Sequence, residues 1–205
     1  MYFEWYYYFG LSTPIIPLSL SLILLKKFKH EKIYKSLLLL FSIDFITNVL
    51  NIFFEINFGN VFPILNVSLV IQAVIIFKIF KDLNKIGKQT NLFLILIIFL
   101  IYIFESFKSS NIWVSNELTL MLTHIVVVTI GWRALYNSYK DTSGFEFRIL
   151  SNIVLYNTVF LLVLFFESKI KLSTRLYEFL FFFISSLYIG ANISYGRSIW
   201  LLRKN

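Results

Sequence analysis

With 58% hydrophobic, 20% aromatic and only 15% charged residues among 205, the chain is far more apolar than a water-soluble domain, where charge alone runs near a quarter. Its net charge of +8 lies in short breaks between long uncharged runs, which excludes an extended basic surface and with it nucleic acid as a partner. The absence of cysteine excludes disulfides, thiolate nucleophiles and Cys-held metals, and no cofactor or metal is expected.

A helix needs about 20 apolar residues to cross the hydrocarbon of a bilayer. Seven runs near that length occur, at 6–25, 36–54, 61–80, 91–107, 114–136, 149–166 and 176–194. They are continuous and lack the alternation of barrel strands, so helices, which satisfy every backbone group internally, are the expected elements. The expected fold is an all-α membrane protein, a seven-transmembrane helix bundle. Residues 1–205 then form one polytopic domain with no soluble domain, since the longest inner connection, 137–148, is merely a loop.

The first run follows a segment with Glu4 and no Lys or Arg, so the positive region of a secretory signal is missing and a retained helix is expected. Pro14 and Pro17 inside it should kink the helix and free backbone carbonyls for neighbouring helices. Pro63 falls near the start of the third run, where a missing N–H costs little.

The second run carries Asp44, Asn48, Asn51 and Glu55, spaced by 4, 3 and 4, within about 60° of helical arc. At 1.5 Å per residue this stripe runs roughly 16 Å, from near mid-bilayer to the outer surface. The same face continues inward as Leu40 and Leu37, so its polarity opens outward only. An ionised Asp at a helix centre costs about 2.5–3.5 kcal/mol, so Asp44 is expected to be protonated or hydrogen-bonded, with His124 or a nearby Asn as partner. The fifth run supplies Glu117 and His124 on one face, with Asn116, Thr119 and Thr123 on the adjoining one, and the seventh supplies Glu178, Ser185 and Asn192 at successive sevens. The expected ligand-binding groove is walled by helices 2, 5 and 7 and built from Asp44, Asn48, Asn51, Glu55, Glu117, His124, Glu178 and Asn192, with helices 1 and 4 peripheral. The plainer alternative is that amides join helices and Glu55 is solvated.

Phe54-Glu55, Phe104-Glu105 and Phe166-Glu167 each place an aromatic before a carboxylate, with Asn66, Asn116 and Glu178 eleven residues after each Glu, a weak internal repeat of three hairpins.

Orientation follows from basic residues, which cytoplasmic segments retain in excess. With the N-terminus outside and the C-terminus in the cytoplasm, 15 of the 19 basic residues fall on inner segments, and only Lys108, Lys169, Lys171 and Arg175 fall outside. Trp5 and Trp113 then reach the outer interface, thickened by Tyr2, Tyr6, Tyr7 and Tyr8, and Trp132 and Trp200 reach the inner one. A Phe, Ile, Lys and Asn bias matches AT-rich bacterial coding, so the expected location is the bacterial cytoplasmic (inner) membrane.

Function is bounded by elimination. A retinal Schiff base needs a lysine in the last helix and 176–194 has none. The Pro-Gln pair of sugar transporters built from three-helix repeats is missing, as are a helical zinc-protease motif and a nucleophile elbow. No residue is assigned a catalytic role. The leading expectation is a small-molecule or lipid-headgroup binding bundle, acting as a sensor or as a subunit of a larger membrane complex, rather than an enzyme. Its partners are the lipid bilayer and other membrane proteins. A proton-coupled transporter or carrier using Asp44 and His124 is the second reading, and an intramembrane lipid hydrolase using Asp44, Glu55 and Glu178 the third.

Overall fold

The computed structural model describes residues 9–28, 31–59, 62–83, 85–109, 117–138, 144–169 and 174–202. Among them lie seven helices and no strand: α1 (Ile15–Phe28), α2 (Lys32–Phe58), α3 (Phe62–Asp82), α4 (Lys88–Ser109), α5 (Glu117–Ser138), α6 (Gly144–Lys169) and α7 (Thr174–Leu202). Each coincides with one of the seven apolar runs, and most continue past the apolar stretch into polar ends, because the backbone ladder does not stop where the hydrocarbon does. Among the described residues, five helices are long and apolar enough to cross a membrane. The chain is a multi-pass, all-α membrane protein.

The residues fall into two compact units, Ser21–Thr123 and a second made of Met1–Leu20 with His124–Asn205. In the first, α2 and α3 form an antiparallel hairpin. Its turn is made by Gly59 at φ 63°, whose N–H bonds to the Glu55 carbonyl at 3.0 Å, an end that only a residue without Cβ adopts cheaply. The inward face of α2 reads Tyr34, Leu37, Phe41, Asp44, Asn48, Asn51 and Glu55, alternating steps of 3 and 4, so one seam runs the length of the helix. Its half nearer the start of α2 is apolar and closely packed: Tyr34, Leu37 and Phe41 are buried, with Phe77, Ile79 and Phe80 buried on α3. Ser36 Oγ donates to Asp82 Oδ2 at 2.7 Å and fixes the register of that end, and the Tyr34 hydroxyl donates to the Ser21 carbonyl of α1. The apolar continuation of the stripe through Leu40 and Leu37 is therefore core.

α4 packs on α3 and buries only 6% of its apolar stretch. Leu92, Phe93, Leu96, Phe99, Leu100, Phe104 and Phe107 stay exposed. At its far end Glu105 accepts from the backbone N–H of Leu118 and of Thr119, both at 2.8 Å, and from Thr119 Oγ1 at 2.6 Å. These N–H groups belong to the first turn of α5 and have no partner in their own helix, so one carboxylate caps the next helix and neutralises the positive end of its dipole.

In the other unit α6 and α7 pair antiparallel, with Ser194 Oγ donating to Asn152 Oδ1 at 2.9 Å and Tyr156 against Tyr188 with ring centres 5.8 Å apart. α7 meets the start of α1 in parallel: Thr13 bonds Asn192, and Gly196 lies so close to α1 that a Cβ there would sit 2.9 Å from Ile16 Cγ2. Helix 1 is thus a packed element in this unit, against the expectation that it is peripheral. The expected kink is present, since residues 9–12 are helical, Thr13 and Pro14 form a turn, and α1 begins at Ile15. The carbonyls freed by the two prolines are satisfied locally, however, and not by another helix. Gly10 O accepts from Thr13 N at 3.1 Å and Thr13 Oγ1 at 2.7 Å, and Thr13 O accepts from Ile16 N at 3.0 Å.

Pro63 is the second residue of α3, where no N–H is needed. Trp132 and Trp200 are exposed, and Trp132 Nε1 donates to Thr158 Oγ1 at 3.2 Å. Trp5, Trp113 and the tyrosines at 2, 6, 7 and 8 lie outside the described residues.

Candidate functional site

The stripe of α2 faces inward. Asn48 and Asn51 are 6% and 3% exposed, Asp44 and Glu55 are half-buried, and α3 carries Asn66 and Ser68, both buried, with Gln72 on the same face as Ser68. The seam therefore changes from apolar to polar at Asp44, because the amides and hydroxyls that hydrocarbon excludes must turn toward one another. Asp44 Oδ1 accepts from Gln72 Nε2 at 3.3 Å, so its carboxyl group is hydrogen-bonded as expected, but to a side chain of α3 and not, at that bond, to His124 or an Asn. With the register set by Ser36–Asp82 and Asp44–Gln72, Asn48 lies at the level of Ser68 and Asn51 at the level of Asn66.

Two acceptors of this stripe are buried with no hydrogen-bond partner, Asn51 Oδ1 and Glu55 Oε2. A solvated Glu55 is not what the structure contains at that oxygen. Leaving a buried polar atom unpaired costs about 1–3 kcal/mol, more for a charged group, so two such oxygens one helical turn apart are unusual in a seam whose other polar groups are paired or turned onto polar neighbours. The sequence repeat that equates Glu55 with Glu105 is not repeated in bonding. Glu105 caps the following helix, whereas Glu55 Oε2 is unpaired, and Pro63 in the helix after it has no N–H to offer. The side chain of Glu167 lies outside the described residues.

A second polar cluster belongs to the other unit. His124, 8% exposed, has Nδ1 2.7 Å from Asn157 Oδ1 and its ring against Phe160, with centres 4.7 Å apart. Asn157 Nδ2 donates to the Ile153 carbonyl at 2.7 Å, so Asn157 Oδ1 is the acceptor and His124 Nδ1 carries the proton. Asn192, 2% exposed, donates from Nδ2 to Thr13 Oγ1 at 3.1 Å. Thr13 and Asn157 were not singled out from sequence: a threonine beside a proline, and an asparagine in a chain rich in them, carry no periodic signal. The side chains of Glu117 and Glu178 lie outside the described residues, though both positions are helical. Of the remaining fifth-helix candidates, Thr119 is bonded to Glu105 and Thr123 is buried with Oγ1 unpaired.

The described residues hold no group of three or more His, Asp or Glu side chains able to bind a metal ion. The chain matches no family model, no curated protein and no solved structure.

Proposed function

We propose that this protein binds a small molecule or a lipid headgroup in the polar outer half of the α2–α3 seam, and acts as a sensor or as a subunit of a larger membrane complex. The observation that carries this reading is the pair of unpaired buried acceptors, Asn51 Oδ1 and Glu55 Oε2, in a seam whose inner half is fully packed. The other unpaired buried atoms among the described residues, Asn91 Oδ1, Thr123 Oγ1 and Asn152 Nδ2, stand singly, whereas these two lie one helical turn apart on one face, where a single donating ligand satisfies both. Asn51→Leu separates the two. A structural asparagine loses stability when replaced, but removing an unpaired oxygen is expected to leave the melting temperature unchanged or raised, through relief of about 1–3 kcal/mol of desolvation. The same variant in nanodiscs of mixed phospholipids should retain lipids in the bulk ratio, where the native chain enriches one headgroup in native mass spectra. A native chain that enriches no lipid and is stabilised by no small molecule ends this reading.

In the proposed topology the chain crosses a bacterial inner membrane seven times, with the N-terminus outside and the C-terminus in the cytoplasm. The parallel run of α1 and α7 supports an odd number of crossings, and 15 of 19 basic residues fall on the inner segments. Lys88 and Lys108 are exposed at opposite ends of α4, and the chain has no cysteine of its own. In intact cells an impermeant maleimide is expected to label K108C, and K88C only after permeabilisation. The reverse pattern overturns the orientation, and labelling of both from outside shows that α4 does not cross.

A further inference from the structure

The two unpaired atoms also bear on the chemistry of the ligand. With Glu55 ionised both are acceptor oxygens, so a hydrogen-bond donor or a cation satisfies them and a phosphate, sulfate or carboxylate group does not. One of the two belongs to a carboxyl side chain. It lies four residues before the C-cap glycine of α2, whose last turn contains no basic residue, at the end of the helix where the dipole is negative. Both the side chain and the helix end therefore favour a positive charge. No charge on α3 competes at that level, because its polar residues there are Asn66 and Ser68 and its lysines, Lys78 and Lys81, stand at the other end. Among the carboxylates of the unit's outer end, Glu105 is already committed to the cap of α5.

Resting on the headgroup-binding reading above, we infer that the Asn51–Glu55 turn of α2 receives a primary ammonium group, of a phosphatidylethanolamine headgroup or of a free alkylamine. Such a group carries three N–H donors, and side chains at i and i+4 stand about 5–6 Å apart at Cβ, so one nitrogen bridges both oxygens. A trimethylammonium group has the same charge and no N–H, and leaves both oxygens unpaired. Discrimination between the two separates this site from a merely anionic patch, which takes either cation.

The test uses the full chain in nanodiscs of phosphatidylethanolamine, phosphatidylcholine and phosphatidylglycerol in equal parts, with retained lipids read by native mass spectrometry. Charge-assisted hydrogen bonds lead us to expect roughly tenfold enrichment of phosphatidylethanolamine over phosphatidylcholine, falling to about the bulk ratio in E55Q and in N51L. E55Q preserves side-chain length, and its melting temperature in phosphatidylcholine discs checks that it folds. Those same discs titrated with ethanolamine, against choline, test the free amine. Stabilisation by ethanolamine alone, without lipid enrichment, supports the ammonium site with a soluble ligand as its source. Enrichment of phosphatidylethanolamine to the same degree in E55Q overturns the inference. Enrichment of phosphatidylglycerol instead also overturns it and leaves headgroup binding standing, whereas no enrichment and no stabilisation by either amine removes both.

Discussion

Replacing His124 with alanine is expected to cost about 3–5 kcal/mol of stability, the sum of a large-to-small core change and a newly unpaired amide oxygen. The ring is buried against Phe160, and its Nδ1–H is the donor that satisfies Asn157 Oδ1 at 2.7 Å. Removing it leaves an apolar void and strands that oxygen in the α5–α6 contact. His124→Asn keeps an N–H near the Nδ1 position and loses only ring contacts, so a smaller loss of about 1–2 kcal/mol is expected. In a double-mutant cycle with Asn157→Leu, the His124→Ala penalty should shrink, because no acceptor is left to strand. Reversible unfolding in mixed micelles gives these values. If His124→Ala unfolds with the native midpoint, the His124–Asn157 pair does not hold the two helices together.

Glu105→Ala is expected to destabilise by about 2–4 kcal/mol, since it removes three hydrogen bonds to a charged acceptor and uncaps α5 where two first-turn N–H groups have no other partner. The loss should appear as fraying of the start of α5, readable by faster hydrogen exchange at Leu118 and Thr119 than at residues deeper in the helix. Glu105→Gln keeps one carbonyl oxygen and surrenders the charge and the second acceptor, so it should fall between alanine and the native chain. Exchange at Leu118 unchanged by Glu105→Ala would show that the cap is dispensable.

The contrast between Glu105 and Glu55 marks how far the chain could be read from its residues. Both follow a phenylalanine near the end of a long helix, and the pattern alone equates them. Their roles diverge because the next helix starts at Phe62, so the positions that match Leu118 and Thr119, Ser68 and Leu69, lie inside α3, whereas Glu105 reaches the free helix start at Leu118 and Thr119. The inward face of α2 was legible as a 3–4 spacing, and the burial of Asn48 and Asn51 follows from it. The identity of the side chains across the seam was not, since Gln72 is one polar residue in an apolar run and spacing on α2 says nothing about the rotation of α3.

Sequence alone determined that this protein is an α-helical, multi-pass membrane protein with one polar stripe that ends against apolar residues. Lipid offers no partner to a backbone group, so apolar runs of spanning length have essentially one way to fold, and helical periodicity puts residues four and three apart on one side. Tertiary structure alone decided which polar groups are paired: Asp44 with Gln72, His124 with Asn157, Thr13 with Asn192, Glu105 with the start of α5, and neither Asn51 Oδ1 nor Glu55 Oε2 with anything. Those choices depend on which helices are neighbours, in what register and at what rotation. Packing among near-equivalent apolar surfaces sets all three, and hydropathy, which varies little around these helices, does not encode them.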